Sequence, residues 1–392
     1  ADPSPGRRGT DDCRDADDEY GHGCRRLGRT TARGPFTLKH WPACWWTGMA
    51  SDGMLSFRPE RDLYGRPLTQ LRISVTDRCN FRCPYCMPSD GPEPCFVARE
   101  ELLSYEQLAR MVRLLVDMGV SRVRLTGGEP LLRADLYRLV RMLAIIPGLD
   151  DLSLTTNGYL LATQAEKLRH AGLQRLNISL DSLDEQVYQR LNGRDLSVER
   201  VLAGIAAAER AGFGPLKLNC VVIRGVNDSS VVDLARHFRG TPHTMRFIEY
   251  MDVGNINRWS PDQVVPADEI IAMINAEMEL TPVAPDRPGE VARRYRYVDG
   301  EGEIGVITSV TRPFCHDCDR MRMGPDGQLY TCLFASHGHD LRAPLKAGAS
   351  DDELRALLAS IWRARGDRYS EERALLPEEE RPRKVEMFRI GG

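Results

Sequence analysis

Six short runs of this chain, 71–76, 121–126, 151–156, 175–180, 216–223 and 244–250, read as β-strands with a shared pattern: one parity is apolar and the other polar. Leu71, Ile73 and Val75 alternate with Arg72, Ser74 and Thr76, and Val123 and Leu125 with Arg124 and Thr126. The same holds for Leu152 and Leu154 against Ser153 and Thr155, for Leu176 and Ile178 against Asn177 and Ser179, and for Leu216 and Leu218 against Lys217 and Asn219. Successive strand residues point to opposite faces. Amphipathic stretches lie between the runs, at 105–117, 136–143, 165–170, 185–191, 198–210 and 230–238. In the first of these, Leu108, Met111, Val112, Leu115 and Val116 share one helical face. Strands alternating with helices predict parallel β/α units. Six such units suit an incomplete (β/α)6 TIM-like barrel better than a full eight-fold one. The apolar parity then meets the outer helices and the polar parity lines the inside. A closed barrel fills its interior with branched apolar side chains, so a polar interior predicts a wide lumen holding a polar ligand and water. An antiparallel sheet with one solvent face is the alternative, and the intervening helices argue against it.

Directly after the first strand comes Cys79-Asn80-Phe81-Arg82-Cys83-Pro84-Tyr85-Cys86, a C-x3-C-x2-C spacing. A [4Fe–4S] cluster is held by four thiolates; three in one tight loop leave one iron open. An open position on a metal is where chemistry takes place, as in catalytic zinc sites. The amino and carboxylate groups of S-adenosylmethionine (SAM) can chelate that iron, and one-electron reduction then releases a 5′-deoxyadenosyl radical. Zinc would require a fourth ligand, and no further Cys or His is near.

At 392 residues, the chain has room for two domains or for one large barrel with an appendage. A net charge of −3 gives no basic surplus for nucleic acid. The eleven cysteines cluster by ligand spacing instead of forming a disulfide framework. That pattern predicts a reducing, cytoplasmic compartment. No apolar run approaches the ~18 residues of a membrane span. Residues 1–57 mix acids, arginines and Trp41, Trp45 and Trp46 without a strand or helix period. They read as a disordered extension ahead of a natural start at Met49 or Met54, which leaves Cys13, Cys24 and Cys44 without a role.

In barrels of this kind the loops after strand C-termini build the site. Gly127-Gly128-Glu129-Pro130 follows the second strand, Thr156-Asn157-Gly158 the third, and Asp181 ends the fourth. The glycines are expected to let backbone approach a ligand closely. The core is assigned to residues 58–260 and a C-terminal domain to 261–392. The latter opens with a helix at 267–278, followed by short strands near Tyr295 and at 304–310. Then come Cys315-His316-Asp317-Cys318 and, after a hairpin turn on Pro325-Asp326-Gly327, Cys332. This C-x2-C-x13-C triplet reads as a second open cluster or as a zinc knuckle completed by His316, His337 or His339. Arg320 and Arg322 stand two apart beside it, able to point together in a strand and capture an anion. With Arg72, Arg124 and Lys217 they put five cations on one cavity, a set that suits a polyanion such as a triphosphate.

These motifs, with Phe247-Ile248-Glu249-Tyr250-Met251-Asp252 and the terminal Gly391-Gly392, resemble the radical-SAM GTP 3′,8-cyclase family of molybdenum-cofactor biosynthesis over residues 58–392. The resemblance implies a radical-SAM barrel carrying a C-terminal auxiliary iron–sulfur domain, with two [4Fe–4S] clusters and SAM as cofactors. It implies that Cys79, Cys83 and Cys86 hold the SAM-binding cluster, and that Tyr85, Gly128, Ser179 and Met251 contact SAM. Cys315, Cys318 and Cys332 would hold the second cluster, whose open iron takes the guanine. Arg72, Arg124, Thr155, Lys217, Arg320, Met321 and Arg322 would bind GTP, with Arg72, Arg320 and Arg322 as the catalytic set. The implied reaction is abstraction of H3′ from GTP and closure of a C3′–C8 bond, with the Gly-Gly tail entering the cavity. The implied partners are GTP, a reductase or flavodoxin-type electron donor and a downstream cyclic pyranopterin monophosphate synthase, with a homodimer open to it. Two rivals compete with this reading. A peptide-modifying radical-SAM enzyme would need an N-terminal peptide-recognition domain, of which 1–60 shows no pattern. An iron–sulfur electron carrier would not need Gly-Gly-Glu-Pro or inward cations.

Overall fold

The computed structural model describes residues 59–285, 289–376 and 381–391. The expected N-terminal extension, with its three cysteines and two candidate start residues, lies outside them. Six strands appear where the parity pattern places them: β1 (Gln70–Ser74), β2 (Arg122–Thr126), β3 (Asp151–Thr156), β4 (Arg175–Ser179), β5 (Lys217–Val222) and β6 (Thr244–Glu249). The helices between them are α1 (Tyr105–Asp117), α2 (Leu136–Ala144), α3 (Ala165–His170), α4 (Glu185–Asn192), α5 (Val198–Arg210) and α6 (Val231–Phe238), with α4 and α5 sharing one crossover. Local chemistry sets these ends. Ser104 and Gln107 form a reciprocal cap on α1, Asp184 accepts from Val187 N–H at the start of α4, and Gly193 closes α4 at φ 61°.

Beyond α7 (Ala267–Asn275), the C-terminal segment supplies β7 (Leu280–Val283), β8 (Ala292–Tyr297), β9 (Glu303–Ile307), β10 (Arg320–Met323), β11 (Gln328–Tyr330) and β12 (His339–Asp340). All twelve join one sheet, in the order β12-β11-β10-β1-β2-β3-β4-β5-β6-β9-β8-β7. β10 pairs parallel with β1, and β9 parallel with β6. The parallel stretch therefore runs over eight strands, two of them from beyond residue 260, and antiparallel strands end it on both sides. Arg320 at one end and Gly305 at the other line the same cavity, so the sheet curves into a partial barrel. The remaining helices are α8 (Arg342–Lys346), α9 (Asp351–Arg363), α10 (Tyr369–Glu372) and α11 (Met387–Ile390). None of the helices among the described residues is long and apolar enough to cross a membrane.

The apolar parity does what the alternation predicts. Leu71, Ile73, Leu125, Leu154, Ile178 and Leu218 are fully buried in one core with Leu108, Met111, Leu139 and Leu234 of the helices. Each such side chain contributes about 2 kcal/mol of apolar burial. Of the opposite parity, Arg72, Arg124, Thr155, Ser179, Lys217 and Asn219 line the cavity.

Candidate active site

The loop after β1 is fixed by its neighbours. Phe81 packs edge-on against Tyr159 and Tyr188, with ring centroids 6.0 and 6.3 Å apart. Asn157 Nδ2 donates to Asn80 Oδ1 at 2.9 Å, and Arg82 N–H to the Asn192 carbonyl at 2.7 Å. Gly128 N–H donates to the Thr76 carbonyl (2.7 Å) and Glu129 N–H to that of Arg78 (2.8 Å). A Cβ on Gly127 would stand 2.3 Å from the Thr76 carbonyl oxygen, and one on Gly128 2.3 Å from that of Arg78. Both glycines thus let the second loop lie directly on the strand end that leads into the cysteine loop. Their close approach is to the chain's own backbone, and Gly128 still lines the cavity.

Cys79, Cys83 and Cys86 line that cavity, and burial pushes all three thiols up, Cys79 to about 12. A bound cation or cluster reverses this, since its own charge deprotonates a coordinating thiol. Cys315, Cys318 and Cys332 line the same cavity. Cys318 differs from the rest: burial raises its thiol, but the Arg320 and Arg365 guanidiniums outweigh that and bring it down to about 6. Among the described residues, no histidine lines the cavity. His316 is turned to Asp317 and Glu371, and His337 to Ser336 and the His339 ring. Among the described residues, no three His, Cys, Asp or Glu side chains converge on a single-ion site. Two cysteine triplets, the first on one tight loop and the second joined across the β10–β11 hairpin, are the donor set an iron–sulfur cluster takes.

The cavity encloses about 530 Å³. Its floor is set by strand register. Arg322, Arg72 and Arg124 stand abreast on β10, β1 and β2, with Gln70 between Arg320 and Arg122 one step along. Thr155, Asn177 and Lys217 form another row across β3, β4 and β5. Nine cations line the cavity among the described residues: Arg72, Arg122, Arg124, Arg175, Lys217, Arg246, Arg294, Arg320 and Arg322. Arg122 meets Asp319, Arg175 meets Asp151 and Arg294 meets Glu303. Burial and then the neighbouring guanidiniums hold Arg72 well below its ordinary value, and bring Arg322 down to about 9. Arg246, which donates to Asn177 Oδ1 at 2.9 Å, is likewise at about 9. Nε of Arg72 and of Arg246, Oγ1 of Thr155 and Oδ1 of Asn219 are buried without a hydrogen-bond partner. Crowded cations with unused donors are stabilised by an anion placed among them.

The sequence-predicted residues Tyr85, Ser179, Met251, Thr155 and Lys217 all line this cavity. Met321 does not: it is fully buried in the core, on the parity opposite to Arg320 and Arg322. Sequence reasoning passed over Arg246, although its alternation with Met245 and Phe247 carries the same signal as the other strands. It placed two carboxylates, Glu129 and Asp181, at the site-building strand ends without giving either a role. Glu129 accepts from Asn157 N–H (2.7 Å), Thr156 Oγ1–H (2.7 Å) and Leu131 N–H (3.0 Å), and burial raises it to about 7. Asp181 accepts from Tyr85 Oη–H at 2.6 Å and Val221 N–H at 2.9 Å, and burial raises it to about 6. The C-terminal tail reaches the same place. Arg322 Nη1 donates to the carbonyl of Gly391, whose φ is 74°, and a Cβ there would stand 2.4 Å from Thr126 Cγ2.

Residues 73–238 match the family described as the Radical SAM superfamily, and residues 243–371 match Molybdenum Cofactor Synthesis C. A GTP 3′,8-cyclase of Acidothermus cellulolyticus is 51% identical over 360 residues, covering 86% of this chain and 99% of that protein. The chain belongs to the GTP 3′,8-cyclase family. A second GTP 3′,8-cyclase, from Xanthomonas axonopodis pv. citri, is 52% identical over 335 residues, covering 85% of this chain and 99% of that protein. The fold of this family member is also that of Streptococcus suis SuiB bound to S-adenosylmethionine, at a TM-score of 0.52 and 15% identity over 75% of this chain and 68% of that one. As a radical-SAM member of the GTP 3′,8-cyclase family, the chain is an enzyme that uses a [4Fe–4S] cluster and SAM.

Proposed function

We propose that this enzyme is a lyase that cyclises GTP to (8S)-3′,8-cyclo-7,8-dihydroguanosine 5′-triphosphate, the first step of molybdenum cofactor biosynthesis. One observation carries the reading: two cysteine triplets and a crowded set of cations share one cavity. In this assignment Cys79, Cys83 and Cys86 hold the SAM-binding cluster, and Tyr85, Gly128, Ser179 and Met251 contact SAM. Cys315, Cys318 and Cys332 hold a second [4Fe–4S] cluster. Arg72, Arg124, Thr155, Lys217, Arg320 and Arg322 bind GTP, and Arg246 joins them. Bound cluster and SAM supply the radical that takes H3′. The chain's own residues do the rest by placement. Guanidiniums on β10, β1 and β2 grip the triphosphate away from the reacting carbon, so its binding energy goes into orientation. The buried cavity wall keeps water from a reactive carbon. Glu129, poised near neutrality, is drawn to its ionised form by a cationic ligand such as SAM.

An electron donor of reductase or flavodoxin type and a downstream cyclic pyranopterin monophosphate synthase complete the scheme. A cytoplasmic location suits thiols that must stay reduced. Calorimetry on an Arg320→Ala variant tests the assignment. GTP binding is expected to weaken by about 10–100-fold, the range for a lost charge-assisted hydrogen bond, while SAM binding stays within about twofold of the unaltered protein. Equal weakening of both ligands would contradict separate GTP and SAM subsites.

A further inference from the structure

Behind the second cysteine triplet lies a group of buried charges that takes no part in the cavity lining. Three segments far apart in sequence meet there: residues 60–66 ahead of β1, the cysteine segment 315–332, and residues 364–368 after α9. Asp62 stands at the centre. Its Oδ1 accepts from the backbone N–H groups of Tyr64 (3.0 Å) and Arg66 (2.9 Å). Its Oδ2 accepts from Arg66 Nε (2.5 Å) and Arg365 Nη1 (3.1 Å). The two guanidiniums carry that anchor to the cysteines. Arg66 Nη1 donates to the carbonyls of Cys315 (2.8 Å) and Asp367 (2.9 Å). Arg365 Nη1 donates to the Cys318 carbonyl (2.7 Å), and its Nε to the carbonyl of Thr331, the residue before Cys332 (3.0 Å). One carboxylate therefore braces two arginines, and between them they hold backbone at all three cysteines.

The side chains of Asp62, Arg66 and Arg365 are 0%, 3% and 1% exposed. Burying three charges is costly, and a well-packed apolar cluster of the same volume would hold a loop at least as firmly. What an apolar cluster cannot do is fix carbonyl positions and place positive charge beside a redox group. Asp367, 3.7 Å from Arg365 Nε and 31% exposed, is the other carboxylate at this edge.

We propose that Asp62, Arg66 and Arg365 are the positioning shell of the group held by Cys315, Cys318 and Cys332, setting the spread of the thiolates and the reduction potential of the group. This rests on the reading of that triplet as the holder of a second [4Fe–4S] cluster. Outer-shell partners orient ligands and tune the metal they hold, and charge and hydrogen bonding near a cluster set its potential. A cluster gains negative charge on reduction. Loss of the Arg365 guanidinium therefore makes reduction harder, and loss of the Asp62 charge makes it easier.

The test uses the full chain, reconstituted anaerobically, with iron counted per chain and each cluster titrated against potential by electron paramagnetic resonance. The unaltered protein is expected to hold about eight irons and a Cys315→Ser variant about four. Four irons in the unaltered protein would remove the second cluster itself and, with it, this shell's purpose, a result distinct from any effect of the shell variants. With eight present, Arg365→Gln is expected to move the second cluster to more negative potential and Asp62→Asn to move it the opposite way, with the first cluster's signal unchanged in both. If Arg365→Gln loses the second cluster, Arg365→Lys takes its place. It keeps the charge but cannot span two carbonyls, so near-normal potential at reduced iron occupancy is expected. Eight irons and an unshifted second potential in Arg365→Gln and Asp62→Asn, or shifts of the same sign in both, would overturn the proposal.

Discussion

A methyl group on residue 128 would stand 2.3 Å from the carbonyl oxygen of Arg78 and 2.7 Å from that of Asp77. Neither oxygen can retreat without moving the chain that leads into Cys79. Gly128→Ala is therefore expected to cost about 1–3 kcal/mol, the range for overpacking a filled site. It should also leave the reconstituted protein with the iron of the second triplet alone. Iron assay together with the paramagnetic signal of each cluster reads this out, and an alanine variant that loads both clusters normally would contradict it. The sequence marked this position as one where backbone comes close to a ligand, whereas the close approach in the structure is to the carbonyls of Asp77 and Arg78. The contact is between two loops that meet only once β1 and β2 are paired. Arg246 teaches the opposite lesson, because its signal was local: polar parity on β6, as on the five strands before it. Met321 could be placed by parity as well, since a residue between two cavity arginines on a strand must face the core.

At the scale of elements, the six β/α units were legible because each carries its own two-residue and 3.6-residue periods. Their strand ends shift by no more than two residues. The placement of β9 and β10 beside β6 and β1 was not legible, because no local pattern says which edge a strand will join. The joints that hold these pieces were hidden for the same reason. Asp252, just past β6, accepts from Tyr369 Oη–H (2.6 Å), Arg373 Nη1 (2.6 Å) and Lys384 Nζ (2.6 Å), tying the strand end to α10 and to the tail that carries Gly391. Burial raises its carboxyl, but Arg373 and the bonds from Lys384 and Tyr369 outweigh that and hold it below the ordinary 3.8. The unfolded chain therefore takes up the proton first. The stabilisation is fully present above that value and is lost as pH falls through the lower folded one. Asp252→Asn is expected to cost about 3–5 kcal/mol at pH 7, because it strands two buried cations. The difference should narrow as pH drops past 3.8. Denaturant unfolding of both proteins across that range checks it, and a gap that stays constant with pH would refute it.

At the scale of the whole molecule, the polar strand parity foresaw a wide lumen, and the first cysteine spacing foresaw the [4Fe–4S] cluster and SAM of a radical-SAM enzyme. The sequence already put five cations on one cavity, and the family resemblance sent the tail there; what it could not display is the strand pairing that brings both triplets to that space. In that pairing β10 carries Arg320 and Arg322 onto the free edge of β1. The central claim is that this shared cavity brings a SAM-derived radical to the ribose of a bound nucleoside triphosphate. The most direct test is to reduce the anaerobically reconstituted enzyme, add SAM with GTP deuterated at C3′, and weigh the 5′-deoxyadenosine formed. Deuterium in that product with GTP, and none with identically labelled ATP, is the predicted result. Unlabelled 5′-deoxyadenosine, formed at the same rate with or without GTP, would contradict the claim and leave only a SAM-cleaving core.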